Sequence, residues 1–360
     1  MTDHLIEEPG GSFAASGPAG RGIEAGGATP PASPAPDGGA ARGRSVWPML
    51  ERDALVGLLA VVVIVMSLAK PDLYPTAANF RATMASQAVL AVCALAALVP
   101  LVAGQFDLSS GAVLGASAVG AASALGRGVP LPLALLGAVG IGATVGVTNG
   151  LLVTRLSINP LIVTLGTASV VRGLLDRYVG GKVLLEGIPT SLTRYGSALP
   201  ENLWIGLPRV VFLMALTACA VWYLVEHTPF GRSLAAVGAS PAAARLVGVR
   251  VERRTIAAFT LGGALAGVAG VLQLAYSGQG NPAVGPNFTL PALAAVFLGA
   301  SAIRPGRTNV GGTIVAIYFL AATISGLNFL GLGRGVEPLF NGFALLTGVG
   351  LSSVLARRRR

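Results

Sequence analysis

The chain has 360 residues, of which 53% are hydrophobic and only 11% are charged, and its formal net charge is +10. A soluble domain carries roughly 25% charged residues, so this composition cannot cover a water-exposed globule and predicts an integral membrane protein. Aromatic residues make up 6% and leave few platforms for base stacking, and many of the arginines flank apolar runs. We therefore predict contact with membrane lipid and not with nucleic acid.

The first 45 residues differ in kind from the rest because Gly, Pro and Ala dominate them. Such a segment cannot bury enough apolar surface to offset the entropy of ordering, so we predict a disordered tail over residues 1–45. The chain ends on four consecutive arginines, residues 357–360, which form a basic C-terminus.

Ten apolar runs follow the tail, and we compare each with the roughly 20 residues that a helix needs to cross a bilayer. They cover residues 54–69, 83–103, 108–125, 131–153, 159–176, 208–226, 255–276, 288–303, 309–330 and 338–355. An even number of spans places both termini on one side, and the arginines at both ends favour the cytoplasm. The pattern predicts an all-α polytopic membrane protein of about ten transmembrane helices, with segments 227–254 and 303–308 in the cytoplasm.

Small residues recur at every fourth position in three of these runs, at Gly111/Gly115, Gly142/Gly146/Gly150 and Gly263/Gly267. This spacing lines one helix face with residues that let two backbones approach closely. The face could serve dimerisation, but packing of helices within one subunit is the more common use of the pattern.

The residues that catalysis and cofactor binding require are largely missing. Neither of the two lysines, Lys70 and Lys182, ends a glycine-rich loop of the Walker type, so the chain is not expected to bind ATP in that way. The two histidines, His4 and His227, exclude an HExxH motif and a multi-histidine metal site. We predict no enzyme activity, no metal and no cofactor, which leaves transport.

Polar residues at membrane depth are the candidates for a translocation path: Asp107, Ser109, Asn149, Asn159, Thr164 and Thr167. A carboxylate at the membrane edge is a functional candidate. Asp107 also stands where it could accept from the amide of Ser109 or Ser110 and start the next helix. The neutral residues could bond a passing polar solute or a neighbouring helix.

The segment 228–254 has the most specific local pattern. Ser240 is a good N-cap, Pro241 suits the first helical position, and Gly248 suits the end of a helix. We predict a short helix over residues 242–246 in the longest cytoplasmic loop, where it would offer a docking surface.

Five stretches of the sequence resemble the membrane permease subunits of ABC importers for ribose, xylose and related monosaccharides. They are 107–111, 149–153, 160–167 with Arg172-Gly173, 230–248, and 262–270. The resemblance implies a permease domain over residues 46–356, in the bacterial plasma (inner) membrane, that takes up a monosaccharide. It also implies three partners, namely a second permease subunit, a separate ATPase subunit, and a periplasmic or extracellular sugar-binding protein.

In that family a short cytoplasmic helix couples the permease to the ATPase. Carried over to this chain, the coupling helix spans about residues 240–248. The coupling residues are then Arg232, Gly238, Ser240, Ala243, Ala244, Arg245 and Gly248.

This chain departs from the family in its eighth span, where the family usually has an acidic residue before a Gly-Gly pair. Residues 289–295 contain no acid and include Pro291, which leaves the particular solute open. A permease of the branched-chain amino-acid ABC importers is the nearest alternative. An ion-coupled secondary transporter is a further one, although Asp107 is nearly its only candidate for an intramembrane relay.

Overall fold

The computed structural model describes residues 47–303, 306–333 and 335–357, so the predicted tail and residues 358–360 lie outside it. The first helices along the chain are α1 (Trp47–Ala69), α2 (Ala77–Val102), α3 (Ser110–Gly126), α4 (Leu131–Arg155), α5 (Pro160–Val179) and α6 (Thr190–Gly196). A 3-10 turn (Pro200–Asn202) and the strands β1 (Leu203–Trp204) and β2 (Leu207–Pro208) follow. The remaining helices are α7 (Arg209–Trp222) with a π turn (Tyr223–His227), α8 (Pro229–Ala239), α9 (Pro241–Leu246), α10 (Val251–Ser277), α11 (Pro286–Gly299), α12 (Val310–Phe329) and α13 (Val336–Arg357).

Each of the ten predicted apolar runs coincides with one of the long helices, so the all-α polytopic fold is confirmed. Five helices are both long enough and apolar enough to cross a membrane: Ala77–Val102, Leu131–Arg155, Arg209–His227, Val251–Ser277 and Val310–Phe329. Three shorter apolar helices accompany them, at Ala54–Ala69, Ser110–Gly126 and Pro286–Gly299. The count of ten membrane crossings stays a prediction.

Helix α2 forms the centre of the bundle. Every residue from Ala91 to Pro100 is buried, as expected for a helix that is apolar on all sides and therefore cannot face water. It contacts α3, α10, α11 and α12 along its length, and α10 packs in turn on α3 and α4. These contacts fix the positions of the loops at both ends of α2.

The small residues at every fourth position bring helices together within the subunit, as the sequence favoured. Gly142 lies so close to Gly263 that a Cβ at Gly142 would overlap the Gly263 carbonyl oxygen and stand 3.0 Å from the amide nitrogen of Gly267. A Cβ at Gly150 would stand 2.8 Å from the Cα of Ile256. Because α10 occupies these spaces, this face of α4 is not available to a second subunit.

The bundle has two ends, which we call the α9 end and the hairpin end. The α9 end carries α8 and α9 between α7 and α10, and the hairpin end carries β1 and β2 between α6 and α7. At the tip of the hairpin, Ile205 and Gly206 both have positive φ, +50° and +78°. This is the turn geometry whose twist matches paired antiparallel strands.

Candidate functional site

The predicted short helix is present as α9, one residue longer at its start than the predicted 242–246. The Ser240 side chain accepts a hydrogen bond from the amide of Ala243 at 3.3 Å, and Pro241 occupies the first turn. Gly248, two residues past the helix, has φ +80°, a conformation that residues with a Cβ rarely adopt. Cap, proline and glycine therefore set both ends of α9 locally, as the sequence pattern indicated.

The α9 segment places apolar side chains in the open. Leu246 is 89% exposed and Val247 is 77% exposed, whereas Ala244, which faces the bundle, is 3% exposed. Arg245 and Arg250 flank the pair and are exposed as well. A rigid, capped helix with an apolar pair ringed by arginines is a surface for protein contact and not part of a closed core.

Helix α8 connects this surface to the centre of the bundle. A Cβ at Gly238 would overlap the carbonyl oxygen of Val102 at the end of α2. Gly104, with φ +74°, approaches in return, since its own Cβ would stand 3.3 Å from the Cα of Gly238. The end of α8 therefore rests directly on the segment that joins α2 to α3. Arg232 is exposed and lines a neighbouring cavity of about 820 Å³ at the α9 end.

Asp107 lies at the start of α3 in a buried chain of hydrogen bonds. Its Oδ1 accepts from the amide of Ser109 at 2.8 Å and from the Ser109 hydroxyl at 2.6 Å. Nδ2 of Asn149, on α4, donates to the Ser109 hydroxyl at 2.9 Å. The predicted bond from the Ser109 amide is present, but Ser109 is the N-cap of α3, so Asp107 closes a turn ahead of the helix and does not cap it. The three residues, each at most 3% exposed, tie the α2–α3 segment to α4.

The other three path candidates lie on α5. Asn159 is exposed and caps the helix by accepting from the amide of Leu161 at 2.9 Å. The Thr164 hydroxyl, fully buried, donates to the carbonyl of Pro160 at 2.9 Å, one turn earlier in the same helix. Thr167 is half-buried. The structure thus brings Asp107, Ser109 and Asn149 together and leaves the α5 residues outside that group.

A second group of polar residues escaped the sequence analysis. Toward the hairpin end, α2, α11, α12 and α13 line an open cavity of about 390 Å³ whose wall includes Gln87, Asn287, Asn328 and Asn341. These amides lie on four different helices, and in the sequence each looks like a single polar residue that could join two helices. The sequence did contain one signal: most of these amides fall near ends of predicted spans that lie on the same side of the membrane.

Metal ligation finds no support in the residues that the structure describes, which contain no group of three or more His, Cys, Asp or Glu placed to hold an ion. The candidate functional groups are instead the polar side chains of the Asp107 group and of the amide-lined cavity, together with the exposed apolar and arginine side chains of α9.

A polytopic helical bundle with neutral polar groups in its interior and a capped helix at one end has the architecture of a transporter's membrane subunit. Residues 79–348 match the family described as branched-chain amino acid transport system / permease component. The chain belongs to this family of multi-pass membrane permeases.

Among its relatives, the ribose import permease protein of Bacillus subtilis (strain 168) is 31% identical over 295 residues, 82% of this chain and 90% of the relative. The ribose import permease protein of Escherichia coli (strain K12) is 28% identical over 307 residues, 84% of this chain and 93% of the relative. The autoinducer 2 import system permease protein of Escherichia coli O9:H4 (strain HS) is 30% identical over 276 residues, 75% of this chain and 82% of the relative. No solved structure matches the chain.

Proposed function

We propose that the chain is the permease subunit of an ABC importer that takes up a monosaccharide such as ribose or xylose. The support is that the relatives above carry the names of ribose and autoinducer 2 import permeases and are matched over 82–93% of their own length. The permease domain comprises residues 46–356, preceded by the tail 1–45 and followed by the basic residues 357–360.

One observation carries the assignment of a partner, namely the exposed pair Leu246 and Val247 on the capped helix α9. An apolar pair on a water-facing segment stabilises nothing within this subunit, and it gains free energy only when a partner protein covers it. The ATPase subunit is that partner in our proposal, because the chain offers no nucleotide-binding loop of its own. Arg245 and Arg250 at the edges would pair with acidic residues of the ATPase.

The coupling residues form two groups in this scheme. Ser240, Ala243, Ala244, Arg245 and Gly248 shape and anchor α9, while Arg232 and Gly238 lie on α8. When the ATPase subunits close, α9 moves and α8 moves with it, and the contact between Gly238 and Gly104 passes this displacement to the α2–α3 segment. Asp107, Ser109 and Asn149 keep that segment attached to α4, so that the segment and α4 move together.

Helix α5 is the surface that we assign to a second copy of the chain. It packs on α3 and α4, and its other side is open, with Ile162 66% and Leu174 64% exposed. Arg172 is also exposed, seven residues before the end of α5 and therefore about 10 Å from it. An arginine at that depth is costly against lipid, so the surface of a second subunit is the better neighbour.

The remaining assignments follow from the same scheme. The α9 end faces the cytoplasm of a bacterial cell, both termini lie on that side of the plasma membrane, and arginines near the spans contact anionic lipid. The hairpin end faces outward and receives the periplasmic or extracellular sugar-binding protein.

The test assembles the chain with the ATPase and the binding protein of its own organism in proteoliposomes and measures uptake of radiolabelled D-ribose and D-xylose. We expect Leu246→Asp combined with Val247→Asp to abolish co-purification of the ATPase and to lower uptake more than tenfold. Leu156→Asp is the matched control, since Leu156 is another exposed leucine, 62% exposed, just beyond the end of α4, which packs near the start of α10 at the same end of the bundle. Unchanged co-purification and uptake in the double variant would refute the docking role of α9, and uptake of L-leucine in place of both sugars would refute the substrate class.

A further inference from the structure

The amide-lined cavity toward the hairpin end, described above, has the position of an entry chamber. We call it the outer cavity; Thr83, Gln87 and Leu90 of α2 face it from one side, and Asn341 of α13 faces it from another. Its volume of about 390 Å³ lies within the range of small-molecule sites. Leu90 is 13 residues from the start of α2, so the cavity reaches about 20 Å below that helix end.

The polar wall of the outer cavity consists of primary amides, one carboxylate and the hydroxyls of Thr83, Ser86 and Ser325. Gln87, Asn287, Asn328 and Asn341 each present an acceptor and two donors, and Glu337 adds acceptors near the start of α13. Each hydroxyl of a sugar is both a donor and an acceptor, so a wall of amides can satisfy a polyol in many orientations. A hydrophobic solute or a bare cation has no acceptor for a hydrogen bond from the amide N–H groups.

These side chains make almost no hydrogen bonds to other protein groups. Among the described residues, the side chains of Asn287, Asn328, Glu337 and Asn341 have no hydrogen-bonding partner, and Nε2 of Gln87 has only a long bond of 3.4 Å to the Ser86 hydroxyl. Asn341 is the informative residue because it is only 7% exposed. Its amide atoms are not among the fully buried atoms without a partner, so they open into the cavity, where water or a solute satisfies them.

The deep part of the outer cavity is apolar. Leu90 and Leu320 are its lining residues farthest from the hairpin end, and Leu320 is 2% exposed. Polar groups therefore line the outer part, and leucines line the inner part.

Pro291, where this chain departs from the permease pattern, lies on the same wall. It is inside α11, and as a proline it has no N–H to donate to the carbonyl of Asn287 one turn earlier. The segment 289–295 also brings no carboxylate into the cavity, so this part of the wall is neutral. The proline leaves an acceptor free on this part of the wall without adding charge, and Glu337 is the one carboxylate among the lining residues.

We propose that the outer cavity binds a neutral polyhydroxylated solute on its way through the permease, with Asn341 and Gln87 as the residues that select it. This inference rests on the proposed function of sugar uptake and assigns the binding site for it. The Asp107 group at the other end of the bundle then holds helices in place and does not contact the solute on entry.

The experiment uses the complete importer in proteoliposomes, with its ATPase and a saturating amount of loaded binding protein. Uptake of D-ribose and hydrolysis of ATP are measured together for the wild type, Asn341→Leu, Asn341→Gln and Thr347→Val. Asn341→Leu keeps the approximate volume and removes the amide, whereas Asn341→Gln keeps an amide. Thr347 serves as the matched control on α13 because it is exposed and its hydroxyl bonds the carbonyl of Phe343 in its own helix.

We expect Asn341→Leu to lower the number of sugar molecules moved per ATP about tenfold while ATP hydrolysis continues, and Asn341→Gln to restore part of the loss. A purely structural role would lower both rates together and would overturn the proposal, as would wild-type uptake per ATP in Asn341→Leu.

A second measurement covers the case of a variant that folds poorly. Gln87→Cys and Asn341→Cys are made in the Cys219→Ala background, because Cys219 is exposed while Cys93 is buried. Modification by a water-soluble thiol reagent in lipid nanodiscs should slow several-fold in 100 mM D-ribose, on the order of the concentration that a weak transport site needs. Equal rates with and without the sugar, in a permease whose wild type transports ribose, would overturn the cavity site alone. Absence of ribose and xylose uptake in the wild type, with L-leucine carried instead, would overturn the proposed function as well.

Discussion

The contact between α4 and α10 allows a sharp test of how the bundle is packed. Gly142 and Gly140 lie on the same helix, but a Cβ at Gly142 would overlap the backbone of Gly263, whereas a Cβ at Gly140 would meet nothing within 4 Å. Both Gly→Ala changes gain the same helix propensity, about 1 kcal/mol. The difference between the two variants is therefore the cost of forcing α4 away from α10, which we place at about 1–3 kcal/mol because backbone, and not a flexible side chain, must move.

The assay is unfolding in mixed micelles titrated with SDS and followed by circular dichroism. Gly140→Ala should be neutral or slightly stabilising, and Gly142→Ala should unfold at lower SDS by the amount given above. Gly146→Ala, whose Cβ would overlap the carbonyl oxygen of Phe259, should behave like Gly142→Ala. Equal stability of the Gly140 and Gly142 variants would show that the two helices do not touch along this stripe and would refute the packing.

Three further changes follow from the local geometry. Ser240→Ala removes the cap of α9 and should cost about 1 kcal/mol of helix stability, seen as a several-fold weaker co-purification of the ATPase; undiminished co-purification would contradict it. Ser109→Ala removes the hydroxyl bond to Asp107 and the bond from Asn149, leaves the backbone bond to Asp107, and should lower stability by about 1–3 kcal/mol. The control Ser169→Ala, which loses only a bond within α5, should change little. Ile205→Asn relieves a left-handed residue at the hairpin tip and should raise the unfolding temperature of the purified protein in detergent, whereas a lower temperature would contradict the turn geometry.

The parts of the fold that local chemistry controls could be predicted from the sequence. The spans follow from the length of apolar runs, and the ends of α9 follow from Ser240, Pro241 and Gly248, all within nine residues of one another. The stripe Gly142, Gly146 and Gly150 predicted close packing because its spacing alone defines one helix face.

The outer cavity could not be predicted in the same way. Gln87 and Asn341 are 254 positions apart, and only the packing of α2 against α11 and α12, with α13 beside them, brings them to one wall. A lone amide in an apolar helix has the same local pattern whether it joins two helices or faces a cavity. Asp107 shows both cases. Its bond to Ser109, two residues away, was predictable, whereas the link through Ser109 to Asn149 on α4 was not.

The most direct measurement of the proposed function is uptake in the organism that carries this chain, with and without a deletion of residues 46–356. Radiolabelled D-ribose, D-xylose and L-leucine are offered separately, and the intact chain is returned on a plasmid as the control. Loss of uptake of a monosaccharide with normal L-leucine uptake, restored by the plasmid, is the expected result. Normal uptake of every monosaccharide tested, or loss of L-leucine uptake alone, would contradict the assignment of this permease to sugar import.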